Sequence, residues 1–189
     1  MILTLLSSVI LICSCRNKRY TDEIIRMQSH PLDMTPCENA FCCEEGKKKC
    51  YDDAAYKLII YVDSISCSQC LLSHMTDYMG TIVDFESVGI KTLFIFEPGE
   101  KQAGNVISSL LQMALPIQTI VVQDGSFTSN NPHLPSTPTL HSFLLNKNNE
   151  VIVVGNPIYN DRIKRLMLDY VEDNKRTQMK NNASDGCNI

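Results

Sequence analysis

The sequence predicts an α/β protein, a mixed sheet built in the order β-α-β-α-β-β-α with helices on both faces. Three observations carry that expectation. Short apolar runs rich in β-branched and aromatic residues alternate with stretches in which apolar residues recur at helical spacing, the pattern of buried strands joined by crossover helices. The last two strand-like runs flank only the polar turn Asn146-Lys-Asn-Asn149, which makes them a hairpin and adds an antiparallel partner. The chain of 189 residues, 44% hydrophobic and 20% charged, has the composition of one globular domain with some extra length.

Taken in order, Lys57-Leu-Ile-Ile-Tyr-Val62 reads as a strand buried on both faces. Leu71, Leu72, Met75, Tyr78, Met79 and Ile82 then mark a helix that starts at the Ser64 to Cys70 turn. Thr92-Leu-Phe-Ile-Phe96 is the second strand, stopped by Pro98-Gly99, and Val106, Ile107, Leu110, Leu111 and Met113 give the second helix. Thr119-Ile-Val-Val122 is the third strand. After a loop with Gly125, Asn130, Asn131, Pro132 and Pro135, the hairpin pairs Thr139–Leu145 with Val151–Val154. Ile163, Leu166, Met167, Tyr170 and Val171 share one face of a final helix, and no internal repeat is present.

Four segments follow: a leader over 1–14, a polar cysteine-containing tether over 15–56, the folded domain over 57–173, and a polar tail over 174–189 expected to be disordered. The leader is uncharged and almost wholly apolar, too short for a membrane-spanning helix but of the length of a secretory signal core. Ile12-Cys-Ser-Cys15 resembles the lipobox of bacterial lipoproteins, with Ser14 as the small residue before the cysteine that takes the lipid, so Cys15 is the expected attachment site and the membrane an expected partner. No Lys or Arg precedes the apolar run, a departure from the usual basic start; a buried N-terminal element is the alternative. The net charge of -4 disfavours nucleic acid as a partner.

Nine cysteines point to an oxidising compartment, metal binding or thiol chemistry. Cys37, Cys42, Cys43 and Cys50 match no paired zinc scheme and are read as local structural disulfides of open pairing. Cys187 stands alone in the tail. Cys67-Ser-Gln-Cys70 differs by position: it follows the first strand and opens the first helix, where unpaired N–H groups and the helix dipole favour a thiolate on Cys67. Cys70, one turn on, lies where it can resolve a mixed disulfide on Cys67. His74 falls near Cys70 on the same helix, but no metal and no cofactor are expected; an exposed helix residue is the simpler reading.

The segment from about Lys57 to Asp173 resembles the thioredoxin-like fold, and within it the exported TlpA-like thiol-disulfide oxidoreductases, including lipoproteins of Bacteroidetes. The residues that carry the resemblance are Leu58-Ile-Ile-Tyr-Val-Asp-Ser-Ile-Ser-Cys-Ser-Gln-Cys70 and Thr137-Pro-Thr-Leu-His-Ser-Phe-Leu-Leu-Asn-Lys-Asn-Asn-Glu-Val151. The resemblance implies catalytic Cys67 and Cys70, a cis proline at Pro138 beside them, and a Thr137 backbone free to pair with an extended substrate. It implies protein thiols or disulfides as clients, an envelope location, and a redox partner that the sequence does not name. Ser66 replaces the usual tryptophan, Ser68-Gln69 matches neither the reductase nor the oxidase dipeptide, and Tyr61 stands where thioredoxin has a buried acid, so the redox direction is open. Asp63 is read as a turn-capping residue in preference to a proton-transfer group. The alternative function is a non-catalytic binding or structural lipoprotein with a permanent Cys67–Cys70 disulfide.

Overall fold

A computed structural model describes residues 18–38, 40–42 and 53–185. In chain order these form α1 (18–27), α2 (Thr35–Glu38), β1 (Phe41–Cys42), β2 (Tyr56–Val62), α3 (Ser68–Ser73), a 3-10 turn (Met75–Tyr78) and α4 (Met79–Ser87). They continue with β3 (Ile90–Phe96), α5 (Glu100–Met113), β4 (Gln118–Val121), α6 (Ser126–Asn130), a second 3-10 turn (Pro138–Leu140), β5 (Ser142–Asn146), β6 (Val151–Val154) and α7 (Asp161–Asp185). The strands make one mixed sheet in the order β1-β4-β3-β2-β5-β6, with β2, β3 and β4 parallel and β1, β5 and β6 antiparallel to their neighbours. The α/β mixed sheet with helices on both faces is therefore observed.

The strand residues that read as buried on both sides are so. Leu58, Ile60 and Val62 of β2 face one core, while Ile59 and Tyr61 face the other. Because β2, β3 and β4 step in one direction along the sheet, right-handed crossovers bring α3–α4 and α5 to the same face. There Leu72, Met75, Phe85, Val106 and Leu110 pack with Phe94 and Phe96, joined by Met167 and Val171 of α7. The opposite face needs another cover. Met27, Leu32, Met34 and Cys37 supply it, with Phe127 of α6 and Leu134.

That cover corrects the reading of 15–56 as a tether. Over its described residues the segment is folded onto the sheet, and Phe41 and Cys42 add an edge strand opposite Val121 and Ile120. Sparse apolar side chains suffice because β3 and β2 already provide a continuous apolar surface for them to land on. The expectation for 174–189 also changes: α7 runs to Asp185, past the last apolar residue of its periodic face. Polar contacts hold that extension, with Lys175 Nζ donating to the Val88 carbonyl at 2.6 Å and Arg176 paired to Glu172 at 3.4 Å. Among the described residues no helix is long and apolar enough to cross a membrane.

Candidate functional site

β2 ends at Val62, and the loop that follows is shaped by Asp63, whose Oδ1 accepts the Ser66 N–H at 2.7 Å and the Ile65 N–H at 3.2 Å. Asp63 thus caps a turn, as its sequence context suggested. The turn delivers Cys67 to the N-cap of α3, with φ -75° and ψ 93°. Its Sγ accepts the Cys70 N–H at 3.2 Å, and its carbonyl accepts the Cys70 N–H at 3.0 Å and the Leu71 N–H at 3.3 Å. Cys67 and Cys70 are joined by a disulfide across one helical turn, Cα to Cα 5.2 Å, and both residues are exposed. Leu72 and Met75 fix the helix to the core below them. A sulfur at an N-cap is the one whose negative charge is stabilised when the bond is reduced, because the first-turn N–H groups point at it.

A cavity of about 350 Å³ lies beside the pair, between the Ser64–Gln69 loop and Gln102, Asn105 and Val106 of α5. None of its lining residues is charged. Ile65, 89% exposed, stands at the tip of the loop. Ser68, between the two cysteines, is only 3% exposed, and its hydroxyl has no hydrogen-bond partner.

Thr137 and Pro138 reach the same end of the sheet as Cys67. β5 runs antiparallel to β2 with Ser142 opposite Ile60, and the Tyr61 N–H donates to the His141 carbonyl at 2.8 Å. Two details differ from the expectation. Among the described residues every peptide bond is trans, so Pro138 is not a cis proline. It instead starts the 3-10 turn Pro138–Leu140, a position that suits its fixed φ and missing N–H, with Thr137 extended before it. The Thr137 backbone is also not free. Its N–H donates to Glu23 Oε2 at 3.1 Å and its hydroxyl to Glu23 Oε1 at 3.1 Å, while Arg19 Nε reaches Oε1 at 3.1 Å.

A buried polar cluster was not legible in the sequence. The Tyr61 hydroxyl donates to Glu97 Oε2 at 2.7 Å and lies 2.7 Å from Thr128 Oγ1. Thr128 gives both its N–H, at 3.1 Å, and its hydroxyl to the same carboxylate. Glu97 sits just beyond β3, beside the end of β2, where its N–H donates to the Val62 carbonyl at 2.8 Å. Burial, then the bond to Glu97, pushes the Tyr61 hydroxyl well above the ordinary tyrosine range, so it stays a donor. Glu97 borders a cavity of about 670 Å³, and Ser64 of the cysteine loop lines it too. The available sequence signal was a lone acid at the carboxyl end of an apolar parallel strand. His141, buried against the Tyr61 ring at 5.0 Å with Nε2 2.8 Å from the Pro135 carbonyl, is a packing residue.

The remaining expected site residues are dispersed. His74 is exposed, with Nδ1 3.2 Å from Asp77, and no group of three metal-ligating side chains occurs among the described residues. Cys37 and Cys42 are buried in the N-terminal cover. Cys15, Cys43, Cys50 and Cys187 lie outside the described residues, and with them the expected lipid site and the local disulfide pairing.

No protein-family model and no curated protein matches the chain. Solved structures do. A thiol:disulfide interchange protein DsbE from Chlorobium tepidum is similar at TM-score 0.50 and 16% identity, over 74% of this chain and 99% of that one. The reduced form of the N-terminal domain of PilB from N. meningitidis is similar at TM-score 0.50 and 16% identity, over 75% and 98%. The thioredoxin domain of a thiol-disulfide oxidoreductase from Bacteroides vulgatus gives TM-score 0.49 and 11% identity, over 64% and 81%. With the mixed sheet, the strand order and the cysteine pair opening the first crossover helix, the chain has the thioredoxin-like fold.

Proposed function

We propose that the protein is a thiol-disulfide oxidoreductase acting on protein disulfides through Cys67 and Cys70. The observation that carries this reading is an exposed two-cysteine disulfide at the N-cap of a helix that follows a central parallel strand. In the reduced protein Cys67 is the attacking thiolate. It forms a mixed disulfide with one client sulfur and releases the other as a thiolate. The Cys70 thiolate then attacks Cys67 Sγ, closing the Cys67–Cys70 bond and freeing the second client thiol; the client gains two electrons and the pair loses two. Run in reverse, the same steps oxidise a client dithiol, and the direction follows from the pair's potential against that of its partners. Thr137 and Pro138 are the proposed place where a client segment lies while this happens.

The same reading places the domain at a membrane in the cell envelope through lipid on Cys15, supported by the apolar leader and the lipobox-like Ile12-Cys-Ser-Cys15. Two measurements test the proposal. The purified protein, reduced, should cleave a disulfide-bonded protein client in a manner lost in Cys67→Ser; a pair that stays oxidised below about -300 mV, with activity indifferent to Cys67→Ser, would leave only a structural disulfide. Cys15→Ala should release the protein from membranes, and continued retention would remove the anchor from the account.

A further inference from the structure

We propose that α1 is a displaceable strap over the client-pairing position, its Glu23 carboxylate filling the Thr137 donors that a client carbonyl would otherwise take. The inference rests on the reading of Thr137 as the residue against which an extended client lies. Its geometry is that of a substituted acceptor. Glu23 is 7% exposed and spends both oxygens on this loop: Oε2 takes the Thr137 N–H, and Oε1 takes the Thr137 hydroxyl and the Ser136 hydroxyl at 3.3 Å. Thr137 lies just before β5, at the end of the sheet where β2 stops and the Cys67 loop departs.

Few of the described side chains of α1 are buried, and Tyr20 and Thr21 have partners of their own. Within α1 the buried residues are Glu23 and Met27, while Ile25 is 61% exposed. Arg26 adds one bond to the Leu134 carbonyl at 3.3 Å, and Arg19 reaches the Ser136 hydroxyl at 3.4 Å. The chain beyond Met27 is anchored separately by Leu32, Met34 and Cys37 in the core. Residues 18–26 can thus leave the surface while the rest of the cover stays. A client backbone carbonyl at Thr137 takes over the Thr137 N–H, while the hydroxyls of half-buried Thr137 and exposed Ser136 turn to water.

The test uses the full chain, reduced, with a short peptide closed by one disulfide, comparing the wild type with Glu23→Ala and Glu23→Gln. Removing the competing carboxylate should lower KM about tenfold in Glu23→Ala and less in Glu23→Gln, with kcat unchanged. Arg19→Ala, at an exposed residue, keeps the question open to measurement if the Glu23 variants fold poorly; it should lower KM by about twofold. In the wild type, saturating peptide should raise amide hydrogen exchange across residues 18–26 and keep the Thr137 amide protected. Normal exchange chemistry with KM unchanged or raised in folded variants, or with exchange over residues 18–26 unmoved by peptide, overturns the strap and leaves the oxidoreductase reading standing. Absence of peptide cleavage by every variant, the wild type included, overturns both.

Discussion

Replacing Tyr61 with phenylalanine removes one oxygen from the Tyr61–Glu97–Thr128 cluster and leaves the ring where it is, 5.2 Å from Phe127 and 5.0 Å from His141. The lost interaction is the 2.7 Å bond to Glu97 Oε2. Glu97 keeps the Thr128 N–H and hydroxyl, so its carboxylate is not stripped, but one buried acceptor position goes unfilled. Hydrogen bonds to charged groups contribute about 1.5–3 kcal/mol, and no cavity term is added because the change deletes only a hydroxyl. For a chain of this size that corresponds to a fall in Tm of about 3–12 °C. Urea unfolding at neutral pH followed by far-UV circular dichroism suits a protein without tryptophan. The midpoint should drop with the slope unchanged. A loss below about 0.5 kcal/mol would refute the reasoning, because it would mean the hydroxyl exchanges Glu97 for water at no cost.

Two further outcomes follow from the same structure. Met27→Ala should cost about 2–5 kcal/mol in urea unfolding, since Met27 is fully buried in the second core; a change within 0.5 kcal/mol would return the N-terminal segment to the status of a tether. Glu23 gives a pH dependence: burial alone would raise its carboxyl, but the bonds from Thr137, Arg19 and Ser136 outweigh it and hold the group below its ordinary 4.5. A depressed folded value means its stabilisation is complete above about 4.5 and is lost as pH falls through the folded value. The stability gap between wild type and Glu23→Gln should therefore be wider at pH 7 than at pH 3, and an equal gap at both would contradict it.

How much of this was legible depends on which forces leave a pattern in the chain. β2, β3 and β4 are readable because strands buried on both faces need unbroken apolar runs, and the cysteine pair is readable because its place after such a run is fixed by chain order. The helix read as one piece from Leu71 to Ile82 is broken at His74, whose N–H closes the last turn of α3 onto the Leu71 carbonyl before the 3-10 segment begins. Apolar spacing does not register such a break, since Leu72, Met75, Tyr78 and Ile82 remain on the buried side throughout. The N-terminal cover was missed for a related reason: its few apolar residues acquire meaning only once two crossover helices have taken the other face of the sheet. Thr137 and Pro138 were placed at the right end of the sheet by the motif, but the contact from Glu23, 114 residues away, has no local signature. The Tyr61–Glu97 bond spans strands in the same way, so Tyr61 looked only like a missing acid.

The central claim is that Cys67 attacks and Cys70 resolves. Cys70→Ser, reduced and mixed with an excess of a peptide disulfide, should accumulate a mixed disulfide that peptide mapping by mass spectrometry assigns to Cys67. The reciprocal Cys67→Ser should trap the peptide on Cys70 much more slowly, since only the sulfur at position 67 sits at the helix N-cap. Equal trapping at the two positions, or none at Cys67, would contradict the account.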